Sequence, residues 1–280
     1  MVAIAAVDDA DARQSDAVRG SHPRAAPLDS IVRVFSAEPD LLAGIDADAA
    51  ELLTQRVVTP KLWLEPGPWK PSSADDLSGS LGLLVLDGLI IRTVELQGRC
   101  WPELVGSGDL LRPWDDLDAS LGHVASWAAL DRASVAVLDE RFCAVAARWP
   151  SIMAQLLTRS IQRSCSLAVN LAIVHARHAD LRLHMLFWHL ADRWGRVTRD
   201  GVHLPMRLTH DMLAALACIR RPTASSALND LARRGEIARC DDGTWLLTGC
   251  PPTPAPFDPS APTARRIRAG SHSASARHDP

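Results

Sequence analysis

Apolar and polar positions alternate along residues 61–149 in a way that is typical of short β-strands. Short apolar runs, among them LGLLVL, LIIRTVEL and ASVAVLD, are separated by polar turns. These turns contain Asp87-Gly88, Gln97-Gly98 and Asp131-Arg132, and Asp-Gly between two apolar runs is a strong hairpin signal. Several short strands at this spacing predict an antiparallel roll or barrel.

Helical periodicity appears on both sides of this region. In residues 28–60, Leu41, Leu42 and Ile45 share one side of a predicted helical segment, with Asp46 as a candidate cap. Residues 151–195 contain no proline and no glycine before Gly195, so they predict a long helix, broken near residues 177–180. Its apolar stripe recurs at three- and four-residue steps: Leu157, Ile161, Cys165, Ala168, Leu171/Ala172 and His175.

A helix of this length rarely buries its whole stripe inside one chain of this size. We therefore expect a seam between two copies of the chain, that is, a homodimer. An intramolecular core helix is the alternative.

Residues 196–250 predict two short helices followed by a two-stranded wing. A hairpin turning at Asp200-Gly201 comes first, and Thr209 then caps a helix that has Asp211 in its first turn. After a tight turn containing Ile219, a second helix continues to Gly235. Its inward face consists of Ala224, Ala227, Leu228 and Leu231. The wing begins at Ile237 and turns at residues 241–243.

The outward face of the second helix has the chemistry of a DNA reader. The helix is short and its outward side chains are small and polar, so it can enter a DNA major groove about 12 Å wide. Arginines at its N-terminal end can bind guanine or phosphate, and the helix N-terminus itself attracts phosphate. Arg233 and Arg234 at its far end are further candidates for the DNA backbone. The candidate DNA-binding residues are Arg220, Arg221, Thr223, Ser225, Ser226, Asn229 and, in the wing, Arg239. A helical subdomain with a solvated polar face is the alternative.

Residues 208–248 resemble the winged helix-turn-helix of the cyclic-AMP receptor protein (Crp/Fnr) superfamily of bacterial transcription regulators. The resemblance rests on LTHDMLAALACIRRPTASSALNDLARRGEI and the wing after it. The upstream order is similar as well, with a roll, the turn GSGDLL and a long helix that contains Asn170-Leu171-Ala172. The resemblance covers roughly residues 30–248 and is weak in sequence over the roll.

This resemblance implies an α+β fold with three parts: an antiparallel β-roll (cupin-like, of the cyclic-nucleotide-binding-domain type), a long dimerisation helix and a C-terminal winged helix-turn-helix. It also implies a homodimer that reads a palindromic operator in double-stranded DNA, with half-sites about one helical turn apart. RNA polymerase is a further candidate partner. The expected division is a disordered tail at 1–27, the roll at 28–149, the dimerisation helix and hinge at 150–195, the winged helix-turn-helix at 196–250 and a second disordered tail at 251–280.

The recognition helix departs from the family pattern in two places. The base-reading positions of the family fall on Arg221, Pro222 and Ser226, and only the arginine keeps the usual type. Because the residue before a proline is disfavoured in a helix, we expect Arg221 as the N-cap and Pro222 as the first helical residue. Ser226 stands in place of a long arginine, so we expect an operator that differs from the family's usual one.

The roll also departs from the cyclic-nucleotide-binding members, which hold the ribose with a Gly-Glu pair and the phosphate with an Arg-Ser pair. Gly108-Asp109 could stand for the first pair, but no arginine lies near Val124-Ala125. The intervening segment contains Asp115, Asp116 and Asp118, which would repel an anionic phosphate. We therefore predict a degenerate cassette without cyclic nucleotide control and an unknown effector. The candidate effector-pocket residues are Gly108, Asp109, His123, Ser164 and Cys165.

Charge and cysteine usage agree with a DNA-binding protein of the cytoplasm. The formal net charge of −3 hides a division: residues 1–149 carry 13 basic and 23 acidic side chains, whereas residues 150–280 carry 17 and 10. The basic half contains the helix-turn-helix. No apolar run reaches about 18 residues, which predicts no membrane span. The six cysteines are scattered and form no CxxC, which is typical of a reducing cytoplasm and argues against a zinc ribbon.

Other functions have weaker support in the sequence. The chain lacks GxSxG, GxxxxGK[ST], HExxH and GxGxxG, so we predict no enzyme, no catalytic residue and no cofactor. His175 and His178 could hold a metal or haem and Cys165 could serve in redox sensing, but surface histidines and an inert cysteine are commoner, and no metal site is predicted. The alternative function is a small-molecule or redox sensor that acts through protein contacts without specific DNA binding. An enzyme built on the roll ranks last, because only His123 lies in that region.

Overall fold

The computed structural model describes residues 30–71, 79–115 and 122–252. The tail predicted at 1–27 and almost all of the tail predicted at 251–280 lie outside these residues, as do Asp116 and Asp118 of the acidic segment. Within the described residues, no helix combines the length and the apolar character that crossing a membrane requires.

Helices and strands of the described residues follow the predicted order. The helices are α1 (Val34–Ala37), α2 (Ala47–Arg56), α3 (Glu140–Ala146), α4 (Pro150–Val174), α5 (Ala179–Trp194), α6 (His210–Leu216) and α7 (Arg221–Arg233). The strands are β1 (Ser30–Val32), β2 (Thr59–Leu64), β3 (Gly67–Trp69), β4 (Gly82–Asp87), β5 (Ile90–Leu96), β6 (Arg99–Val105), β7 (Leu110–Leu111), β8 (Val124–Ala129), β9 (Ala133–Leu138), β10 (Arg196–Val197), β11 (Val202–Leu204), β12 (Ile237–Arg239) and β13 (Trp245–Leu247). Short 3-10 turns lie at Pro39–Leu42 and Pro113–Asp115.

Two antiparallel sheets form the predicted roll. One has the strand order β1-β2-β9-β4-β7 and the other β3-β8-β5-β6. Strand β9 is buried along its whole length because both of its faces are covered. Val135 and Val137 pack between the two sheets, whereas Ala136 and Leu138 pack under the helices with Phe142 of α3. This is the alternation that a strand with two covered faces requires.

Two of the three predicted turns do not close hairpins. Gln97-Gly98 does join the paired strands β5 and β6. Asp87-Gly88, however, connects β4 to β5, which belong to different sheets, and Asp131-Arg132 likewise connects β8 to β9. These two corners pack against each other, since a Cβ on Gly88 would lie 2.5 Å from the Cα of Ala133. Gly88 has the positive φ that a tight turn requires. Packing between distant segments nevertheless decides which strands pair with β4 and β5.

The long helical segment is broken where the sequence predicts it. Helix α4 ends at Val174 and α5 begins at Ala179. The inner face of α4 buries Ile152 and Leu156 under the roll, while Leu157, Ile161 and Leu171 remain 54–61% exposed. The predicted cap of α2 is confirmed as well, because the Asp46 carboxylate accepts a hydrogen bond from the Ala49 amide.

The C-terminal unit packs around α5. Strands β10, β11, β13 and β12 form one antiparallel sheet, and α6 and α7 pack against it and against α5. Leu89 and Leu104 of the roll belong to the same buried cluster as Phe187 of α5 and Leu213 of α6. The helix-turn-helix therefore rests directly on the roll of its own chain.

Candidate functional site

Local capping builds the first helix of the candidate site. The hydroxyl of Thr209 accepts a hydrogen bond from the Met212 amide at 3.3 Å, as the sequence predicts, and Asp211 lies in the first turn. Thr209 thereby satisfies one of the free N–H groups at the helix start. Leu213 and Leu216 are buried, so α6 presents one face to the core.

The turn between α6 and α7 depends on a residue in the left-handed region. Cys218 has a φ of 51°, and the Ile219 amide donates to the carbonyl of Ala214 at 2.9 Å. This is the arrangement in which glycine is usually found after a helix end. Ile219 packs against the buried cluster, which confirms its predicted position between the two helices. Burial raises the pKa of the Cys218 thiol, so this cysteine stays protonated at neutral pH.

The recognition helix begins one residue earlier than the sequence predicts. Arg220, not Arg221, is the N-cap, and Arg221 and Pro222 are the first two helical residues. A proline fits in the first turn because the amides there have no partner within the helix. The preference against helix before a proline is therefore overridden at Arg221. Ala224, Ala227, Leu228 and Leu231 are buried, which confirms the predicted inward face.

Most of the predicted contact residues share the open face of α7. Arg220, Arg221, Thr223, Ser226 and Asn229 are all exposed. Ser225 differs, because it is half-buried and its hydroxyl lies 3.1 Å from Nδ1 of His210 on α6. The expectation that Ser225 faces outward is therefore wrong for its hydroxyl, which joins the two helices.

The arginines around α7 have different partners. Arg221 forms an ion pair with Asp211 at 2.9 Å, and both side chains are about two-thirds exposed. Arg233 pairs with Asp230, which lies three residues earlier in the last turn of α7. Arg234 contacts Glu236 at 3.0 Å and Asp180 of α5 at 3.4 Å, and its hydrogen bond to Glu236 raises its pKa. Arg234 thus fastens the end of α7 to α5 and to the start of the wing, although the sequence suggests a role at the DNA backbone.

The wing turn is held by side-chain hydrogen bonds. Asp242 accepts from the amide and from the hydroxyl of Thr244, and these bonds lower the pKa of the carboxyl. Gly243, with a φ of 84°, completes the turn. Arg239 is exposed, and its guanidinium lies 5.7 Å from the ring centre of Trp245. The guanidinium of Arg239 in the wing is therefore open to solvent and available to a phosphate.

The candidate effector residues do not form one pocket. Gly108 and Cys165 line a common cleft, whereas Ser164 and Cys165 line a shallow groove on the outer face of α4. His123 lies just before β8 and lines neither. Asp109 is only 2% exposed, and its carboxylate binds Arg193 of α5 at 2.5 Å and the Gly106 amide at 2.9 Å. Both partners of the Asp109 carboxylate are therefore protein groups, and the carboxylate does not face an open pocket.

The sequence analysis did not identify the arginines of α4 that form ion pairs with carboxylates on neighbouring elements. Arg163 forms a two-pronged ion pair with buried Glu103 of β6, at 2.6 and 3.0 Å. Arg159 pairs with Glu38 at 2.9 Å. The available signal was the spacing of Arg159 and Arg163, which lie four residues apart and therefore share one face of α4. The apolar stripe on the other face of α4 was the only pattern that the prediction used.

The described residues contain no group of three or more histidines, cysteines or carboxylates that could hold a metal ion. His175 is the C-cap of α4 and His178 the N-cap of α5. The two histidines flank the break, so the spacing along one continuous helix that suggested a metal pair does not apply.

Comparisons with known proteins identify the C-terminal unit. Residues 181–247 match the family model of the Crp-like helix-turn-helix domain, from α5 to the last strand of the wing. None of the curated proteins matches the chain.

Solved structures share the fold over most of the chain. A cyclic nucleotide-binding domain containing protein from Listeria monocytogenes EGD-e has a TM-score of 0.57 at 16% identity, over 77% of this chain and 97% of that one. A mutant of CooA from Carboxydothermus hydrogenoformans has a TM-score of 0.51 at 19% identity, over 68% and 84%. The c-di-GMP responsive global regulator CLP from Xanthomonas campestris has 0.50 at 15% identity, over 73% and 100%. The predicted fold class is confirmed, and so is the resemblance to the Crp/Fnr superfamily in its helix-turn-helix domain.

Proposed function

Because the chain carries a Crp-like helix-turn-helix domain on a fold of the cyclic-nucleotide-binding type, we propose that it is a DNA-binding transcription regulator of the Crp/Fnr type. The observation that carries the proposal is the open face of α7. Arg220 and Arg221 lie at its N-terminal end, Thr223, Ser226 and Asn229 follow, and all five are exposed. Side chains of this kind bind base edges and phosphates in a major groove.

The second part of the proposal is that the protein acts as a homodimer joined along α4. Leu157, Ile161, Ser164, Ala168 and Leu171 recur at alternating steps of four and three, and all are exposed. This is the spacing with which two helices pack along a seam, and the occupant that it fits is a second copy of the same helix. A two-fold dimer contains two symmetry-related copies of α7, and this matches the symmetry of a palindromic operator.

The third part is that cyclic nucleotides do not control the protein. The carboxylate of Asp109 is bound to Arg193 and is not free to hold a ribose. Arg163, one of the two arginines of α4, is already held at two oxygens by Glu103 of the roll. A cyclic phosphate would have to displace a buried carboxylate to reach that arginine, and this supports the degenerate-cassette prediction.

Genome-wide binding of the tagged protein, followed by gel shift of the recovered fragments, tests the proposal. We expect retention of a few fragments that share a palindrome, with affinity falling as salt rises because bound counterions are released. Failure to retain any genomic fragment at low salt would favour the alternative, a sensor that acts through protein contacts. RNA polymerase as a partner, the absence of an enzymatic activity, the domain limits and a cytoplasmic location stay predictions.

A further inference from the structure

A cleft of about 700 Å³ lies between α4, α5 and the turn that connects β6 to β7. This volume is typical of sites for small molecules. Its walls combine Ser107 and Gly108 of the roll, Arg159 and Ser166 of α4, and His189 and Arg193 of α5. The cleft therefore touches both the roll and the helix that leads into the DNA-binding domain.

Arg159 is the most unusual group of this cleft. Its side chain is 16% exposed, and its Nη2 binds Glu38 at 2.9 Å. Its Nη1 is buried and has no hydrogen-bond partner among the described residues. A Cβ on Gly108 would lie 3.6 Å from that nitrogen, so the glycine keeps the turn beside it free of a side chain. A buried cationic N–H without an acceptor is costly, and the carboxylate of a ligand would supply the missing acceptor once Arg159 turns towards the cleft.

The same cleft also carries negative charge. Asp40 and Asp192 line it and are exposed, and neither forms an ion pair with another described residue. Two further residues of the lining contact each other, since Nε2 of His189 lies 2.9 Å from the Ser166 hydroxyl. Burial lowers the pKa of His189, so this imidazole is neutral near pH 7 and offers a hydrogen bond rather than a charge.

We propose that this cleft binds a small amino-carboxylate, such as an amino acid, as the effector of the protein. The ligand carboxylate accepts hydrogen bonds from Arg159, and its ammonium group lies against Asp40 and Asp192. The two exposed carboxylates disfavour ligands that carry only negative charge, such as phosphates. The presence of a cation and of exposed carboxylates in one cleft therefore sets the chemical class.

Binding in the cleft would act on the connection between the roll and the DNA-binding domain. Arg193 lines the cleft and binds buried Asp109 of the roll, so it joins α5 to the turn at residues 106–109. The regulatory consequence rests on the proposed DNA-binding function. If the ligand changes operator affinity by some factor, operator binding must change ligand affinity by the same factor.

Calorimetric titration of the full chain, without DNA, tests the site itself. The probes are the common amino acids, then the amide and the N-acetyl derivative of the best binder, and inorganic phosphate. We expect at least one amino acid to bind. Removing the charge of the ligand carboxylate by amidation, or removing the guanidinium by Arg159→Gln, should weaken binding about 10- to 100-fold, which is the typical effect of one charged hydrogen bond.

Two further variants keep the test independent of the Arg159–Glu38 pair. Gln162 is an exposed residue of α4 that lines the cleft, and Gln162→Trp should weaken binding by placing a large ring in it. Arg99→Gln, at an exposed site on β6 outside the cleft, is the control that should bind normally.

Several results would overturn the proposal. They are the absence of binding by every amino acid, equal binding by wild type and Gln162→Trp, or binding of phosphate without any amino acid. Because no operator is present in the titration, a negative result leaves the DNA-binding function standing. A failed gel shift, conversely, leaves the ligand site standing.

Discussion

Replacing Arg221 with alanine separates DNA recognition from folding. Arg221 is the first residue of α7, and its only ion pair among the described residues is with Asp211 in the first turn of α6. The side chains are 69% and 66% exposed, so water screens their attraction. Exposed pairs of this kind contribute about 0–1 kcal/mol, and a cation at a helix N-terminus is itself unfavourable by about 0.3–1 kcal/mol. We therefore expect the free energy of unfolding to change by less than about 1 kcal/mol.

The same substitution should have a much larger effect on DNA binding. An arginine that binds a base through two hydrogen bonds contributes about 1–3 kcal/mol of discrimination, which corresponds to roughly 5- to 150-fold in affinity. Asp211→Ala should have the opposite effect. It frees Arg221 and removes a negative charge beside the DNA, so operator affinity should be unchanged or rise.

Urea unfolding measures the first quantity, and fluorescence anisotropy with operator and scrambled duplexes measures the second. Arg99→Gln, far from α7 in the sequence, serves as the charge-matched control. Normal operator binding by Arg221→Ala would refute the assignment of the recognition face. A loss of more than about 2 kcal/mol in unfolding free energy would refute the argument from exposure.

Three further predictions concern assembly and stability. Ile161→Arg places a charge in the exposed stripe of α4 and should give monomers in sedimentation experiments. Gln162→Arg, one residue away, is the control and should leave the dimer intact. A dimeric Ile161→Arg variant would contradict the proposed seam. Cys218→Gly removes left-handed strain of about 1–2 kcal/mol and costs about 0.5–1 kcal/mol in chain entropy. Thermal unfolding should therefore show a net gain in the free energy of unfolding of up to about 1.5 kcal/mol, with no gain in Cys218→Ala. Burial lowers the pKa of His184 and His189 below 6.5, so the unfolded chain binds more protons and the free energy of unfolding should fall as the pH decreases through 6.5. Urea titrations on both sides of that pH measure the slope, which His189→Gln should reduce; an unchanged slope would show that His189 does not cause it.

Local patterns in the sequence determined two helix caps and the buried face of α7. Thr209 and Asp46 cap their helices as predicted, and Ala224, Leu228 and Leu231 form the buried face of α7. Caps, helical periodicity and turn residues depend on neighbours a few positions away, so they are visible in one sequence without knowledge of the fold.

Tertiary structure alone decided which segments meet. Asp87-Gly88 has the sequence of a hairpin turn, yet it forms a corner between two sheets because β4 pairs with β9 and β7 instead of β5. Asp109 resembles a ligand-binding residue by position, but Arg193, far along the chain, takes its carboxylate. Helix α7 also begins one residue earlier than predicted, because a proline in the first helical turn loses no internal hydrogen bond.

The cleft at Arg159 is another feature that only the tertiary structure decided. Its walls come from three parts of the chain that are distant in sequence. Glu38 pairs with one nitrogen of the Arg159 guanidinium, Gly108 lies near another, and that second nitrogen has no hydrogen-bond partner among the described residues. Periodicity indicates which face of a helix is buried, but not which charges will share a cavity. Those pairings are set by long-range packing, which has no local signature.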